Sequence, residues 1–265
     1  MRRDLQRNYW TCWETRRDPA QRLHKAKKIQ RLLEEASPLR PHAARSVLDV
    51  GCSIGVILEH LAQAWEVQRA VGVDIDPDAL RIARSRSARA LYCMADGERL
   101  PFPDRSFDLV ICAQVYEHVP DWKKLMREVH RVLRAGGICF FSGPNRLSIW
   151  EDHYQLPFLS WLPRPWAHRL VGWAGRGAQY YEQPVTWWTL RKGLVRLGFR
   201  IVDCTPRLLE APERFALQAP ALQWARRLIR ILPAPLRSWL VAFVPNFNLI
   251  LIKPSDASMG EPIFQ

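Results

Sequence analysis

The amino-acid sequence predicts an α/β domain in which a parallel sheet carries helices on both faces. Two observations lead to this class. Short apolar segments typical of buried strands alternate with longer amphipathic segments from Val47 to Ser142, and Gly, Asp and Pro mark the turns between them. Such alternation is typical of strand–helix–strand units, because parallel strands need a long crossover connection, usually a helix.

The predicted elements follow one another in a regular order. A basic segment over residues 1–36 predicts a helix that Pro38 ends. Asp76 and Asp121 are each expected to cap the helix that follows, since an Asp side chain can accept the first unpaired amide hydrogens of a helix. The strands of the alternating region are predicted at Ser46–Val50, Ala70–Asp74, Ala90–Cys93, Phe107–Cys112 and Ile138–Phe141.

The alternation is interrupted twice after residue 142. An insertion rich in Trp and Pro covers about residues 143–185, and a second insertion covers about residues 206–245. A helix at Thr186–Leu197 and strands at Phe199–Cys204 and Phe247–Ile252 complete the pattern. The expected organisation is therefore an N-terminal basic helical segment (1–40), one domain with two insertions (41–253) and a flexible tail (254–265).

Composition limits the classes of protein. Hydrophobic residues make up 48% of the 265, which excludes wholesale disorder. The six cysteines show no C-x-x-C spacing and the N-terminus has no apolar signal segment, so we expect a cytoplasmic protein. The 39 Lys and Arg residues against 26 Asp and Glu give a formal net charge of +13, which favours an anionic partner.

The turn after the first strand is the strongest sign of a ligand site. Gly51 and Gly55 allow the backbone to approach a ligand closely, and a helix begins directly after them. Asp74 ends the second strand, where a carboxylate can accept both hydroxyls of a ribose. The G-x-G-x-x-G spacing of a pyrophosphate cradle is absent. A nucleoside ligand without phosphates therefore fits better.

Four motifs in order carry a resemblance to a known family. They read VLDVGCSIG, VGVDIDPDAL, ADGERLPFPDRSFDLVICAQVYEHVPD and MREVHRVLRAGGICFF, and they cover about residues 45–142. In this order and spacing they resemble the class I S-adenosylmethionine-dependent methyltransferases, within them the type 11 and quinone-methyltransferase branch. The resemblance implies a Rossmann-like, mostly parallel sheet of seven strands whose last strand is antiparallel, with S-adenosylmethionine as cofactor.

The resemblance also assigns cofactor-binding roles. Residues of the first motif are expected to wrap the methionine part of the cofactor; these are Asp49, Gly51, Ser53 and Gly55. The Ser53 hydroxyl, at a position where the family most often has Gly, is a candidate donor to the cofactor carboxylate. Asp74 matches the ribose ligand, and Ile75 lies against the adenine. Asp96 and Gly97 match the segment that meets the adenine amino group, and Gln114 matches the position that closes the methionine end.

Two histidines are candidate general bases for a hydroxyl acceptor. His118 follows the fourth strand, near the expected methyl group, and His153 opens the first insertion. Each has a plainer alternative, since His118 can simply shape the cavity and His153 can belong to a surface loop. The other histidines show no paired ligand spacing, so the sequence predicts no metal site.

The sequence favours methyl transfer to a hydroxyl of a small-molecule or lipid-linked acceptor. The HYQLPFLSWLP run of the first insertion resembles methyltransferases of glycan and glycolipid synthesis. A quinone-ring or other small-molecule methyltransferase is the alternative. A nucleic-acid methyltransferase is less favoured, because the Trp residues mix with Pro and Leu instead of basic residues. A non-catalytic cofactor-binding protein is also less favoured, because the motifs are intact.

The second insertion predicts peripheral contact with an anionic membrane, at the inner face of the cell membrane. Residues 221–232 place Arg226, Arg227 and Arg230 on one face of a helix that also carries Trp224, and no acidic residue lies between Glu213 and Asp256. A helix of this kind can lie in the plane of a bilayer interface. The alternative is that it packs its apolar face on a core or a lid.

Overall fold

A seven-stranded sheet forms the centre of the protein. A computed structural model describes residues 18–37, 43–87, 89–151, 153–210 and 243–255. In chain order the strands of the sheet are β1 (Ser46–Val50), β2 (Arg69–Asp74), β3 (Ala90–Met94), β4 (Phe107–Ala113), β5 (Leu133–Pro144), β8 (Arg200–Asp203) and β9 (Asn246–Ile252). Their spatial order is β3-β2-β1-β4-β5-β9-β8.

The strand directions confirm the predicted fold class. Strands β1 to β5 run parallel, whereas β9 is antiparallel to both β5 and β8. The order reverses at β1, since β2 lies on one side of it and β4 on the other. Open α/β sheets bind ligands at such a switch point, beyond the carboxyl ends of the strands.

Helices cover both faces of the sheet, as the sequence predicts. They are α1 (Pro19–Ala36), α2 (Val56–Ala64), α3 (Pro77–Arg86), α4 (Trp122–Val132), α5 (Arg164–Trp173), α6 (Trp187–Arg196) and α7 (Thr205–Glu210). Helices α1 and α2 pack on one face, and α4 and α6 pack on the other. The capping roles are confirmed, because Asp76 accepts from two amides of α3 and Asp121 from two amides of α4.

One boundary differs from the sequence pattern. The pair Gly136-Gly137 suggests a glycine cap for α4, but that helix ends at Val132 and both glycines lie within β5. The backbone amide of Leu133 closes the helix by donating to the carbonyl of Val129. Gly136 has a φ of 75°, so the glycine is needed for an irregularity of the strand and not for the helix end.

The first insertion folds as a small unit with its own core. It contains a hairpin of β6 (Trp150–Glu151) and β7 (Leu156–Pro157), a short 3₁₀-helix and α5. Tyr154, Leu159, Ala167, Val171 and Tyr180 are buried together inside it. The unit therefore has a defined shape at the carboxyl-terminal edge of the sheet, where β5 leads into it.

Three predicted features lie outside the described residues. They are residues 1–17 of the basic segment, residues 211–242 with the proposed interfacial helix, and residues 256–265 of the tail. In the described ranges, none of the helices has both the length and the apolar character needed to cross a bilayer.

Candidate functional site

A cavity of about 360 Å³ opens at the carboxyl ends of β1, β2 and β4, at the switch point of the sheet. Six of the nine predicted cofactor residues line it, together with the base candidate His118: Gly51, Asp74, Ile75, Asp96, Gly97 and Gln114. The opposite wall comes from the first insertion, through Arg164, His168 and the segment from Gln179 to Tyr181. The structure thus brings residues from the ends of four neighbouring strands, β3, β2, β1 and β4, together under an inserted unit.

The turn after β1 needs the glycine at its start. Gly51 has a φ of 72°, and a Cβ atom there would lie 2.5 Å from Cγ2 of Val115 on the cavity wall. The amides of Gly51 and Cys52 both donate to the carbonyl of Val73. The turn is therefore fixed against β2 with its backbone at the edge of the cavity, a position that tolerates no side chain.

Asp74 joins the loop after β1 to the loop after β2. Its carboxylate is buried and accepts hydrogen bonds from the amides of Ser53 at 2.7 Å and of Asp76 at 2.9 Å. Burial raises the pKa of this carboxyl, and the two amide donors oppose that rise. The carboxylate is held rigidly at the cavity wall, where each oxygen keeps a lone pair for a further donor such as a ribose hydroxyl.

Three residues of the first motif do not line the cavity. Asp49 is buried on the face of the sheet that α1 covers, and burial raises its pKa to about 8, with Arg22 and Lys25 opposing the rise. Ser53 acts on the site through its backbone amide, which binds Asp74. Gly55 precedes α2 with a φ of 77°. Ser53 and Gly55 shape the turn, and direct contact of the three residues with the cofactor stays a prediction.

Gln114 lies in a strained conformation at the end of β4. Its φ is 61°, which is uncommon for a residue with a side chain and costs about 1–3 kcal/mol. Its amide donates to the carbonyl of Ser142 at 2.7 Å, and its side-chain amide donates to Oδ1 of Asn246 at 3.1 Å. Strands β5 and β9 therefore hold Gln114 at the cavity wall.

The two predicted bases lie against each other. The rings of His118 and His153 have centroids 5.6 Å apart in an edge-to-face arrangement. Three buried glutamates accompany them, and sequence reasoning missed all three: Glu117, Glu151 and Glu182. Their one sequence signal is that Glu117 adjoins His118 and Glu151 precedes His153 by two positions.

Distances within this histidine–glutamate cluster show how it is held. Nδ1 of His153 lies 2.9 Å from Oε1 of Glu151 and 3.6 Å from Oε1 of Glu182. Nε2 of His118 lies 3.7 Å from Oε1 of Glu117. Burial raises the pKa of Glu117 to about 7, and the nearby His153 opposes that rise. The cluster is a buried group of two imidazoles and three carboxyls at the end of the cavity that His118 lines.

Part of the chain matches a known protein family. Residues 48–141 match the family described as "Methyltransferase domain". This range contains the turn after β1, Asp74, Asp96, Gln114 and His118. It ends before the first insertion, so the match covers the cofactor side of the cavity and not the opposite wall.

Curated relatives match part of the chain. A "Probable S-adenosylmethionine-dependent methyltransferase" of Mycobacterium tuberculosis is 38% identical over 40% of this chain and 38% of its own length. The ubiquinone biosynthesis O-methyltransferase of Idiomarina loihiensis is 30% identical over 52% of this chain and 55% of its own length. The ajmaline N-methyltransferase of Rauvolfia serpentina is 35% identical over 35% of this chain and 33% of its own length. Each alignment thus spans less than two thirds of the relative.

Solved structures share the fold over most of the chain. The plantazolicin methyltransferase BpumL, solved with a substrate analogue and SAH, is 16% identical, with a TM-score of 0.59 over 94% of this chain and 90% of its own. A chain from the complex of the Haloferax volcanii Trm112 activator with a methyltransferase is also 16% identical, with a TM-score of 0.58 over 94% of this chain and 97% of its own. At this identity the likeness concerns the fold alone. The family match and the curated relatives go further: residues 48–141 match a methyltransferase domain, and the relatives support S-adenosylmethionine as its cofactor.

Proposed function

We propose that the protein transfers the methyl group of S-adenosylmethionine to a hydroxyl of a small or lipid-linked acceptor. The observation that carries this proposal is the arrangement of the cavity. Asp74, Asp96 and Gly97 lie on its wall as candidate nucleoside contacts, and His118 lies on the wall as well, backed by His153. A cofactor bound with its ribose on Asp74 and its methionine end on Gln114 presents its methyl group toward His118.

The chemical step needs little from the protein beyond alignment. The acceptor oxygen forms a bond to the methyl carbon while the carbon–sulfur bond breaks and its electron pair returns to sulfur. The sulfonium becomes a neutral thioether, S-adenosylhomocysteine, and the acceptor loses its hydroxyl proton. The cofactor supplies an activated methyl group, and the chain holds both reactants in line and excludes water.

The histidine pair is the proposed means of activating the acceptor hydroxyl. His118 lies on the cavity wall, and His153 contacts its ring from the insertion. One of the two imidazoles takes the hydroxyl proton. The hydrogen bond between His153 Nδ1 and Glu151 favours this role, because a carboxylate on one ring nitrogen makes the other a stronger base.

The acceptor is proposed to enter beside the first insertion. Arg164, His168 and Tyr181 from this unit face the cofactor side of the cavity. Arg164 brings a positive charge to this wall. Such a wall suits an acceptor that carries negative charge, as a lipid-linked phosphate does, while a glycan hydroxyl reaches the histidine pair.

A quinone-ring acceptor is the second candidate. It is favoured by the relative from Idiomarina loihiensis, whose printed name places it in ubiquinone biosynthesis and whose alignment covers 52% of this chain. The aromatic side chains of Tyr180 and Tyr181 at the cavity wall are compatible with a flat ring.

Peripheral contact with an anionic membrane also stays a proposal, and the described part of the chain supports it. The exposed face of α5 carries Trp166 and Trp173, whose residues are 63% and 88% exposed. Arg169 lies between them, with its guanidinium 6.0 Å from the ring of Trp166. Exposed Trp beside Arg suits the head-group region of a bilayer, and the other side of this unit lines the cavity.

Transfer of label tests the proposed function. The protein is incubated with S-adenosylmethionine labelled in its methyl group and with separate polar, lipid and quinone extracts. We expect label in a hydroxyl-bearing acceptor of the lipid or polar extract, in a methyl ether that resists mild base. Asp74→Ala should lower the transfer when the cofactor is limiting, and Arg81→Ala, an exposed change on α3, should not. Label in the quinone extract alone would favour the second candidate, and no label in any extract would contradict methyl transfer to these acceptors.

A further inference from the structure

The histidine–glutamate cluster has the composition of a metal-binding site. Glu117, His118 and His153 offer one ligand atom each, and these three atoms lie within 4.8 Å of one another. Glu151, His153 and Glu182 form a second such triad that shares His153. The three segments that supply these residues come together only in the fold, so their spacing in the sequence gives no metal signature.

An unsatisfied buried carboxylate points to a missing ligand. Glu117 is fully buried, and neither of its side-chain oxygens has a hydrogen-bond partner in the part of the chain that the structure describes. A buried carboxylate without donors is costly. The nearest cationic candidate is the ring of His118 at 3.7 Å, beyond hydrogen-bond distance, and Lys25 acts on Glu117 at longer range.

The charge of the cluster also calls for a cation. Glu117, Glu151 and Glu182 are all at least 95% buried, and each has an imidazole of His118 or His153 within 4.0 Å of a carboxyl oxygen. Three carboxylates in one buried group repel one another, and a divalent ion offsets two of their charges at once.

The hydrogen bond of His153 prepares its ring for an ion. When Nδ1 donates to Glu151, the lone pair lies on Nε2, which is the form of imidazole that binds a metal. Glu151 is itself fixed, since its second oxygen accepts from the amide of Tyr154 at 2.6 Å. In this arrangement Glu151 orients the His153 ring, and His153 but not Glu151 binds the ion.

We infer that Glu117, His118 and His153 bind a divalent transition-metal ion, and that this ion lies next to the acceptor end of the cavity. Two imidazole nitrogens with a carboxylate suit Zn²⁺, Fe²⁺, Co²⁺ or Mn²⁺ better than Mg²⁺ or Ca²⁺, which prefer oxygen ligands alone. This departs from the sequence-based expectation of no metal. The metal site itself does not depend on the proposed function, but the role of the ion in catalysis does. A bound ion would take the acceptor oxygen as a further ligand and ionise its hydroxyl, with the proton released to water.

Metal binding is measured on the whole chain after removal of metals with a chelator. Calorimetric titration with Zn²⁺ should give one site per chain, and Mg²⁺ at the same concentrations should give none. Glu117→Gln and His153→Gln should each weaken Zn²⁺ binding at least tenfold. Glu151→Gln should weaken it about 10–100-fold, as loss of an orienting partner does. His24→Ala, at an exposed histidine of α1, is the matched control and should bind as the parent does.

Two further measurements use the parent protein and do not depend on the folding of a variant. Co²⁺ added to the parent should give visible absorption bands of a nitrogen–oxygen ligand set, and Zn²⁺ should remove them. Binding of S-adenosylhomocysteine is measured in the same metal-free sample. Normal cofactor binding without a Zn²⁺ site, or equal Zn²⁺ affinity in the parent and in Glu117→Gln, would overturn the metal site and leave the proposed function standing. Failure of cofactor binding would instead count against the proposed function.

Discussion

The imidazole rings of His118 and His153 lie in edge-to-face contact, with their centroids 5.6 Å apart, although 35 positions separate them in the sequence. His118 follows β4 within the matched family domain, and His153 belongs to the first insertion outside it. The contact therefore joins the cofactor side of the cavity to a part of the chain outside the matched family range. Acceptor chemistry is expected where these two parts meet.

Replacement of the two histidines separates chemistry from cofactor binding. His118→Ala and His153→Ala should each leave the affinity for S-adenosylmethionine within about twofold. At least one should lower the rate of methyl transfer about 10²–10⁴-fold, as loss of an activating group does. Calorimetry gives the affinity and a single-turnover assay gives the rate. Normal rates for both variants would show that alignment alone drives the transfer.

Removal of the Asp74 carboxylate should weaken cofactor binding. Asp74→Ala loses a charge-assisted contact to the ribose hydroxyls, which contributes about 1.5–3 kcal/mol of binding free energy. Asp78→Ala is the control, because Asp78 is an exposed acid four positions away on α3. The two affinities are compared by calorimetry on variants shown to be folded by circular dichroism. Equal affinities would place the ribose elsewhere.

A pair of glycine substitutions distinguishes backbone strain from crowding of the cavity. Gly51→Ala and Gly136→Ala both put a side chain at a φ near 75°, which costs about 1–2 kcal/mol of stability. A Cβ at Gly51 also meets Val115 at 2.5 Å, whereas nothing lies within 4 Å of a Cβ at Gly136. Both variants should melt earlier, and only Gly51→Ala should lose cofactor affinity. Loss of affinity in both would mean that the effect is not local to the cavity.

Asp49 should make the stability of the protein depend on pH. Its pKa is raised by burial to about 8, above the ordinary value near 3.8, so the folded chain holds a proton that the unfolded chain releases. The bound proton therefore stabilises the folded chain fully below pH 4, and this stabilisation is lost as the pH rises to about 8. Between pH 4 and pH 8, the free energy of unfolding of Asp49→Asn should rise relative to that of the parent by up to about 1.4 kcal/mol per pH unit.

Urea unfolding at several pH values measures this difference. The free energies of unfolding of the parent and of Asp49→Asn should differ by a constant amount below pH 4 and should diverge between pH 4 and 8. A difference that is the same at pH 4 and at pH 8 would show that Asp49 is ionised in the folded protein throughout this range.

Membrane contact through α5 should depend on both Trp and charge. The parent should sediment with liposomes that contain anionic lipid at low salt, and less so at high salt. The double change Trp166→Ser, Trp173→Ser should reduce the bound fraction several-fold. Leu91→Ser, which removes a 70% exposed apolar side chain of β3, is the control. Unchanged binding of the double variant would move the contact to another surface, such as the second insertion.

Much of the cofactor side of the site could be predicted from the sequence because its information is local. A strand, a turn with Gly51 and a helix are neighbours in the chain, and parallel strands bring their carboxyl ends to one edge, so Asp74 and Gln114 arrive beside that turn. The end of α4 is harder to predict, because the fold and not the local sequence sets it. Gly136 looks like a helix cap in the sequence, but its φ serves an irregularity within β5 that only strand pairing reveals.

The acceptor side could not be predicted in the same way. Glu117, Glu151 and Glu182 lie on three separate segments, and each looks like an ordinary surface acid when taken alone. Their burial around His153 depends on how the first insertion folds back on the sheet, which no periodicity in the insertion encodes. The placement of Asp49 behind the sheet, away from the cavity, likewise follows from packing against α1 and not from the motif.

A crystal structure with bound S-adenosylhomocysteine tests the central claim most directly. We expect the ribose hydroxyls within about 3.2 Å of the Asp74 carboxylate and the adenine beside Ile75, Asp96 and Gly97. The sulfur should lie at the end of the cavity that Gln114 and His118 line, so that a methyl group on it points toward the histidine–glutamate cluster. A nucleoside bound away from Asp74, or a sulfur that faces away from His118, would contradict this account of the site.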